Sequence, residues 1–297
     1  MAKPTDADSR LLRALRAGDG SDGQDEADGL AGWDHAAVSE RVTVLRAAGY
    51  VITADPTRGI LGHRLVSAPE RLVADDLCAA LPPDAAGVGR EIVVFEETDS
   101  TNDLAARAGH DGAAGGLVIF AERQRAGRGR LGRRWTAPPH RALLFSVLLR
   151  PAVMDVPAAR WSELTFCAAL AVAETAEWAT GRPARIKWPN DVLVEGRKVA
   201  GILLERHQQP APGFVVAGIG LNVLQAPEDF PPELRERAGS LAMLALPGRT
   251  VERRRVAVVV LERLESILAC WPDDFTGIMA ACAERGCERP PEEATDL

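Results

Sequence analysis

The residues with the clearest chemical potential lie between Gly127 and Trp135, in a stretch that reads G-R-G-R-L-G-R-R-W. Four arginines fall within eight residues of this stretch. Guanidinium groups bind phosphate and carboxylate oxygens in pairs, and glycines let backbone N–H groups come close to an anion. Glycines also allow a loop to order over a bound ligand. Taken alone, the stretch predicts with equal weight a lid over phosphates or a basic loop that faces solvent or nucleic acid.

The same stretch matches the G-x-G-x-x-G pattern of dinucleotide-binding folds, but its context excludes that function. After that fingerprint the chain must enter a helix. Here Pro138 and Pro139 follow, and the next predicted element is a strand over 143–150. The glycines therefore belong to a loop between two strands.

A lysine at the entrance of an apolar strand is the second candidate. The segment Ile186-Lys-Trp-Pro-Asn-Asp191 precedes a predicted hairpin turn, and Arg197-Lys-Val-Ala-Gly-Ile-Leu-Leu-Glu205 follows it. The side chain of Lys198 lies either in solvent at the sheet edge or in a pocket where its charge meets an anion. In the second case a charge-assisted hydrogen bond would contribute roughly 1.5–3 kcal/mol.

Two further segments combine polar groups with a tight backbone. In Thr98-Asp-Ser-Thr-Asn102, Ser100 followed by Asp103 predicts a helix N-cap, and the spare hydroxyls and amide are a suitable clamp for a small polar group. In Gly218-Ile-Gly-Leu-Asn222, glycines at alternate strand positions indicate close approach of the backbone to a neighbour or a ligand. Ordinary capping and packing would also explain these two segments.

A small unit precedes the chemical segments. Apolar residues at helical spacing predict helices near 11–15 and over 35–48, and an acidic glycine-rich loop is predicted over 18–34. Two short strands are predicted at 50–53 and 60–65. Helix, helix and hairpin is the outline of a winged helix-turn-helix.

A larger unit carries all four chemical segments and follows a connector with one helix near 70–81. Its predicted strands cover 91–95, 117–122, 143–150, 185–188, 192–195, 199–205 and 214–222. Its predicted helices cover 100–108, 162–180 and 251–271. The charged tail from 284 onward is predicted to be loose.

Composition argues against several classes of protein. The formal net charge of −7 lacks the polybasic character of a nonspecific nucleic-acid binder, so an anion site must be a local cluster. The five cysteines are odd in number and form no C-x-x-C pair, which argues against a disulfide framework or a zinc site and is typical of the reduced cytosol. We find no signal peptide and no apolar run near roughly 20 residues, so we expect a cytoplasmic protein without a membrane partner.

Taken in order, these segments closely resemble the biotin protein ligases. T-D-S-T-N is followed by the G-R-G-R-x-G-R-x-W loop, then by K-W-P-N-D, R-K-x-A-G-I-L-x-E and G-I-G-x-N, from about Glu91 to Asn222. Five linked motifs are far more specific than any one of them. The resemblance implies an α+β chain with a class II aminoacyl-tRNA synthetase-like catalytic domain, which is a mostly antiparallel mixed sheet with helices. The pattern over 38–65 also resembles the winged helix of members that both ligate biotin and repress transcription.

The resemblance implies a reaction and a set of site residues. Biotin and ATP would form biotinyl-5'-AMP and pyrophosphate, and the biotinyl group would pass to a lysine of a biotin carboxyl carrier protein of a carboxylase. The implied biotin-binding residues are Ser100, Thr101, Asn102, Gln124, Arg128, Gly129, Arg130 and Lys198. The implied residues on the ATP or adenylate side are Arg128, Arg130, Lys187, Asn190, Lys198 and Asn222. The implied catalytic residues are Lys198, Arg130 and Asp191, the last to orient the acceptor lysine. Mg²⁺ would be held through the phosphates, and no protein ligand to it is assigned.

The resemblance also implies a domain plan. We expect a winged helix over 1–66, a connector over 67–89, the catalytic domain over 90–284 and a flexible tail over 285–297. The small C-terminal β-barrel domain of many members is expected to be missing. A homodimer is compatible with the family.

Charge bears on whether the first domain binds DNA. Residues 1–65 hold eight Lys and Arg against ten Asp and Glu, whereas DNA-binding domains present a basic face. We therefore favour a winged helix packed on the enzyme over one that binds DNA, although Arg41, Arg46 and Arg58 could form a local patch. Two alternative functions share the motifs: a biotin-responsive DNA-binding regulator without transfer, and a lipoate-type ligase of the same fold. The arginine loop and the Lys198 strand favour biotin over lipoate.

Overall fold

The computed structural model describes residues 6–17, 30, 32–57, 62–82, 87–151, 155–209 and 211–287. The chain divides into two compact units, Met1–Asp84 and Ala85–Leu297. No helix in the described ranges is long and apolar enough to cross a membrane.

The first unit contains two helices and a hairpin in the predicted order, followed by a third helix. Its elements are α1 (Asp6–Ala17), α2 (His35–Ala47), β1 (Val51–Ala54), β2 (His63–Ser67) and α3 (Ala74–Ala80). The strands pair antiparallel. The predicted apolar stripes are confirmed as the core, in which the buried residues include Leu11, Leu12, Leu15, Val38, Val42 and Leu45. Most of the predicted acidic loop, and Ile60 of the second predicted strand, lie outside the described residues.

Helix α2 begins where Asp34 accepts a hydrogen bond from the Ala37 N–H at 2.8 Å, which satisfies one of the unpaired amide groups of a helix start. Helix α3, which we predicted within the connector, packs on α1. Arg13 donates to the carbonyl oxygens of Cys78 and Ala79 at the end of α3, each at 3.3 Å. The ion pair of Arg16 with the buried Asp76 holds the two helices together at a second point.

The second unit is built on one seven-stranded sheet in the order β3-β4-β5-β9-β8-β7-β6. The strands are β3 (Glu91–Thr98), β4 (Leu117–Gln124), β5 (Ala142–Leu149), β6 (Ala184–Lys187), β7 (Asp191–Val194), β8 (Arg197–His207) and β9 (Phe214–Asn222). Only β3 and β4 pair in parallel, and the other pairs are antiparallel. The predicted mostly antiparallel mixed sheet of an α+β fold is therefore confirmed.

Helices cover this sheet and bury its apolar side chains. They are α4 (Thr101–His110), α5 (Leu164–Thr180), the short α6 (Leu241–Leu244), α7 (Arg253–Cys270) and α8 (Phe275–Glu284). Helix α4 packs against β4, β5 and β9, whereas α5 packs against β6 to β9 and α7. The apolar sequence of α5 is explained by this position, because 13 of its 17 residues are buried.

Helix α8 was not predicted, and the chain after it is packed. Arg285 pairs with Glu177 at 2.8 Å, and its carbonyl oxygen accepts the Ile186 N–H at the edge of the sheet at 2.9 Å. Cys287 is buried. Residues 285–287 of the tail expected to be loose are therefore packed on the sheet, and 288–297 lie outside the described residues.

Candidate active site

Glycines line one face of the sheet where the polar side chains of the candidate pocket converge. Gly218 is the register partner of Ser146 on β5, and Gly220 is the partner of Gly201 on β8, so these four residues point to the same side. A Cβ atom at Gly218 would collide with the carboxamide of Asn102, and one at Gly220 would collide with the indole of Trp135. The alternate glycines thus admit neighbouring side chains to the sheet surface. We call this surface the glycine floor.

The start of α4 supplies one wall of the pocket. The Thr101 N–H donates to Gln124 Oε1 at 2.7 Å, and the Ser146 hydroxyl donates to Asn102 Oδ1 at 2.6 Å. Ser100, Thr101 and Asn102 are all buried. Ser100 occupies the N-cap position, as predicted, although its side chain makes no capping hydrogen bond. The free amide at the helix start is met by Gln124 instead, a residue also predicted to lie in the biotin site.

The arginine stretch forms a compact loop that closes on itself. The Trp135 N–H donates to the Gly127 carbonyl at 2.9 Å, and the Gly129 N–H donates to the Arg133 carbonyl at 2.7 Å. Leu131 at its tip has a φ of 57° and is 87% exposed. These backbone bonds explain how a glycine-rich stretch holds its arginines in fixed places.

The two arginines assigned to the site have different surroundings. Arg128 donates to Asp103 at 2.6 Å and to both oxygens of Glu205 at 3.1 Å. The Arg130 guanidinium makes no hydrogen bond or ion pair with a residue in the described ranges, and it lines a cleft of about 80 Å³ together with Asn190. Of the two, Arg130 is the cation that remains available for an anionic ligand.

Lys198 lies beside the glycine floor. Its Nζ is 2.7 Å from Asp191 Oδ1 and 5.5 Å from the centre of the Trp135 ring. The side chain is 35% exposed, so it is only partly accessible to solvent. A Cβ atom at Gly201 would lie 3.3 Å from the same Nζ, which shows how closely the ammonium approaches the floor. Two residues of the predicted catalytic set, Lys198 and Asp191, are thus an ion pair.

The side chains of three residues predicted on the nucleotide side form no hydrogen bond or ion pair with Lys198 or Asp191. Lys187 is exposed at the end of β6. Asn190 donates to the Ile202 carbonyl at 2.9 Å. The buried Asn222 donates to the Gly239 carbonyl at 3.1 Å and accepts from Gln225 at 2.7 Å. Both asparagine side chains therefore support the local backbone, and a nucleotide role for all three stays a prediction.

Sequence reasoning assigned no role to three residues that the fold places at the pocket. Ser146 is a polar residue within the apolar strand β5 and is fully buried, which was the available signal. Glu205 ends the R-K-x-A-G-I-L-x-E motif and accepts a hydrogen bond from Asn102. Trp135 ends the arginine loop, and its buried indole nitrogen has no acceptor among the described residues.

Two buried thiols of the second unit are poorly suited to nucleophilic chemistry, and the described ranges contain no preformed metal cage. Burial, with a smaller contribution from Cys287, raises the pKa of Cys282 to about 12. Burial likewise raises the pKa of Cys167. Both thiols therefore stay protonated at neutral pH and are poor nucleophiles. No group of three His, Cys, Asp or Glu residues that could hold a metal ion occurs in the described part of the chain.

Comparisons with known proteins converge on one family. The biotin/lipoate A/B protein ligase family matches residues 94–222. The Bifunctional ligase/repressor BirA of Bacillus subtilis is 33% identical over 258 residues, which cover 86% of this chain and 74% of that protein. The Biotin--[acetyl-CoA-carboxylase] ligase of Mycobacterium tuberculosis is 41% identical over 207 residues, which cover 68% of this chain and 71% of that protein. Among solved structures, the biotin protein ligase from Aquifex aeolicus in complex with biotin and ATP aligns with a TM-score of 0.56 at 30% identity, over 66% of this chain and 78% of that one.

Proposed function

The chain belongs to the biotin protein ligase family, and we propose that it joins biotin to AMP and passes the biotinyl group to a lysine of a biotin carboxyl carrier protein. The observation that carries this proposal is that four separate motifs meet at the glycine floor. Asn102 comes from T-D-S-T-N, Trp135 from the arginine loop, Lys198 from R-K-x-A-G-I-L-x-E and Gly218 with Gly220 from G-I-G-x-N. The similar biotin protein ligase from Aquifex aeolicus was solved in complex with biotin and ATP.

Biotin would lie against the Asn102 and Trp135 side chains that cover the glycine floor, with its ureido ring at the start of α4. The ring has one carbonyl acceptor and two N–H donors, so it needs hydroxyl and amide groups at fixed positions. Thr101, Asn102 and Gln124 are held at such positions by hydrogen bonds among themselves and with Ser146. Trp135 supplies an apolar wall for the rest of the molecule.

Activation joins two anions. A carboxylate oxygen of biotin attacks the α-phosphorus of ATP, the bond from that phosphorus to the bridging oxygen breaks, and pyrophosphate leaves with the electron pair. The repulsion between the reactants must be offset by positive groups fixed where charge develops. Lys198 beside the floor and Arg130 in the loop are suited to this task, since Lys198 is held by a single carboxylate and Arg130 by none among the described residues.

Mg²⁺ would enter with ATP and neutralise phosphate charge. Mg²⁺ keeps several waters and is commonly held through substrate phosphates with one or two carboxylates, so a site without an all-protein cage is compatible with it. Within the described ranges, no cluster of three acidic, His or Cys residues competes for that role.

Transfer needs no covalent enzyme intermediate. The amine of the acceptor lysine attacks the acyl carbon of the adenylate, an amide bond forms, and AMP leaves. The lysine must approach as a neutral amine, and a carboxylate at the rim would orient it and accept its proton. Asp191 is our candidate, because its carboxylate lies 2.7 Å from Lys198 and is 23% exposed.

The test of this function is a labelling assay with the purified chain. Biotin, MgATP and a biotin carboxyl carrier domain should give a streptavidin-reactive carrier, and the label should be lost when the acceptor lysine is changed to arginine. A parallel reaction with lipoate in place of biotin separates the lipoate-type alternative. An unlabelled carrier in the presence of biotin would rule out the ligase function and leave a regulator without transfer.

For the first unit we propose no DNA-binding role. Arg41 lies 3.6 Å from both Asp8 and Glu40, and Arg46 donates to the Ile52 carbonyl at 2.7 and 3.0 Å. Two members of the candidate basic patch are thus occupied within the unit, and Arg58 lies outside the described residues. The check is an electrophoretic shift with the biotin-operon upstream DNA of the source organism, with biotin and ATP present. A clean shift at low salt that disappears in Arg41→Ala would show that the unit does bind DNA.

A further inference from the structure

One carboxylate of the sheet contacts both the start of α4 and the arginine loop. Glu205 Oε2 accepts from Asn102 Nδ2 at 2.7 Å, and both carboxylate oxygens lie 3.1 Å from Arg128 Nη2. We propose that Glu205 is a positioning residue that couples the biotin-holding amide of Asn102 to the arginine loop. This inference rests on the proposed function, because it assumes that Asn102 contacts biotin.

Glu205 fixes which way the Asn102 carboxamide points. The Ser146 hydroxyl, which has one proton, donates to Asn102 Oδ1 at 2.6 Å, so the oxygen end faces the sheet. The carboxylate of Glu205 can only accept, so it requires the NH₂ end on its own side. A flipped amide would turn its oxygen toward the Glu205 carboxylate and lose that bond, whereas the Ser146 hydroxyl can donate or accept and so does not decide the orientation by itself. A biotin ureido group would therefore meet the same donor and acceptor atoms in every molecule.

Glu205 also anchors the loop through Arg128. The second partner of Arg128 is Asp103 on α4, at 2.6 Å. Two carboxylates thus surround one guanidinium, and little of its charge is left for a ligand. The resemblance implied that Arg128 binds the biotin carboxylate and the phosphates. The geometry instead supports Arg128 as the fixed base of the loop and Arg130 as its anion-binding group.

The coupling has a functional consequence. Biotin that hydrogen-bonds Asn102 would restrain the amide, and through Glu205 it would restrain Arg128 at the base of the loop. The loop would then be set over the pocket before the adenylate forms, which excludes water and retains a hydrolysable intermediate.

Three variants of the full chain separate the two contacts. Glu205→Ala removes both. Glu205→Gln keeps an oxygen that accepts from Asn102 but loses the charge that holds Arg128. Asp103→Asn weakens the other anchor of Arg128 without touching Asn102, and it is the matched control. Biotin affinity is measured by calorimetry with biotin alone, and loop retention is measured as the rate at which biotinyl-AMP formed from biotin and MgATP leaves the protein.

We expect Glu205→Ala to weaken biotin binding about tenfold and to release the adenylate faster, tenfold being the effect of about 1.4 kcal/mol. Glu205→Gln should bind biotin within about threefold of wild type, an effect of under about 0.7 kcal/mol, yet release the adenylate faster. Asp103→Asn should change release alone. This split between affinity and release would not arise from general destabilisation, which circular dichroism and thermal melting monitor.

The inference is overturned if Glu205→Ala binds biotin as wild type does, or if Asp103→Asn weakens biotin binding as much as Glu205→Ala. The first result would mean that Asn102 does not depend on Glu205, and the second would mean that the loss of affinity runs through Arg128 and not through the Asn102 amide. A wild-type chain that binds no biotin would instead refute the proposed function, so the two failures are distinguishable.

Discussion

Arginines of the two units differ in whether the fold already pairs them with acceptors. In the first unit, Arg41 faces Asp8 and Glu40, and Arg46 is bound to a backbone carbonyl. In the second unit, Arg128 is likewise paired with carboxylates, but Arg130 has no such partner among the described residues. The number of arginines in a segment therefore does not predict anion binding. What decides it is whether carboxylates or carbonyl groups of the fold already occupy each guanidinium.

The largest expected effect concerns the lysine of the second unit. Lys198→Ala should abolish adenylate formation, lowering biotin-dependent pyrophosphate release by more than about a hundredfold, since removing one fixed charge from a reacting site costs about 3 kcal/mol or more. Biotin binding measured separately shows whether the pocket itself is intact. Pyrophosphate release at the wild-type rate in this variant would show that Lys198 has no role in adenylate formation.

A second expected effect contrasts two arginines directly. Arg130→Gly should release biotinyl-AMP at least about tenfold faster and label bystander lysines, because the group that retains the adenylate is lost. Arg41→Ala in the first unit is the control and should leave release unchanged. Labelling confined to the carrier in Arg130→Gly would remove Arg130 from this role and weaken the contrast between the units.

The next effect concerns stability of the first unit. Burial raises the pKa of Asp75 to about 6, with smaller contributions from the charges of Asp8 and Asp76. A carboxyl group with a raised folded-state pKa stabilises the fold below its unfolded value of 3.8, and this contribution is lost as pH rises through about 6. Asp75→Asn should therefore stabilise the unit at pH 7.5 by about 1 kcal/mol, allowing for solvent screening at a half-exposed group. Hydrogen exchange of α1 and α3 in the full chain measures this; unchanged protection would contradict it.

The smallest expected effect is a loss of stability of the second unit at low pH, whereas the Asp75 contribution is lost at high pH. Burial, together with the nearby His110, lowers the pKa of His207 from 6.5, while Glu205 opposes the shift. The ring of His207 stacks on Phe214 with centres 4.6 Å apart. Because its folded-state pKa is depressed, the neutral ring stabilises the unit above pH 6.5, and stability falls as pH drops below that value. His207→Gln should flatten the thermal-melting profile between pH 7 and 5, and an equally steep profile in the variant would exclude His207 as the cause.

Sequence patterns predicted the elements well because apolar periodicity survives in the fold. The leucine and valine stripes of α1 and α2 are buried, and the hairpin at Glu195-Gly196 joins β7 and β8 as predicted. The order of the five motifs predicted the family, which the relatives confirm. Helix α8 was missed because its sequence has no strong amphipathic stripe, and only Ile278 and Cys282 of the helix are buried.

The site was predicted less completely than the fold. Motifs indicated which segments matter, yet they carry no information on which side chains touch. The contact of Asn102 with Glu205 joins residues 103 positions apart, and the pairing of Arg128 with Asp103 arises only when the loop folds back on α4. The glycine floor could be predicted in part, because alternate glycines in Gly218–Asn222 indicated close approach of another group to the backbone. Which side chains would fill that space, Asn102 and Trp135, required the fold.

The most direct test of a noncovalent activation pocket in the second unit is mass spectrometry of what the protein retains after incubation with biotin and MgATP, without carrier. We predict biotinyl-AMP bound at up to one molecule per chain and, after denaturation, a polypeptide of unchanged mass. Retained ATP without adenylate, or a chain whose mass has increased by a biotinyl group on a residue of the pocket, would contradict the mechanism.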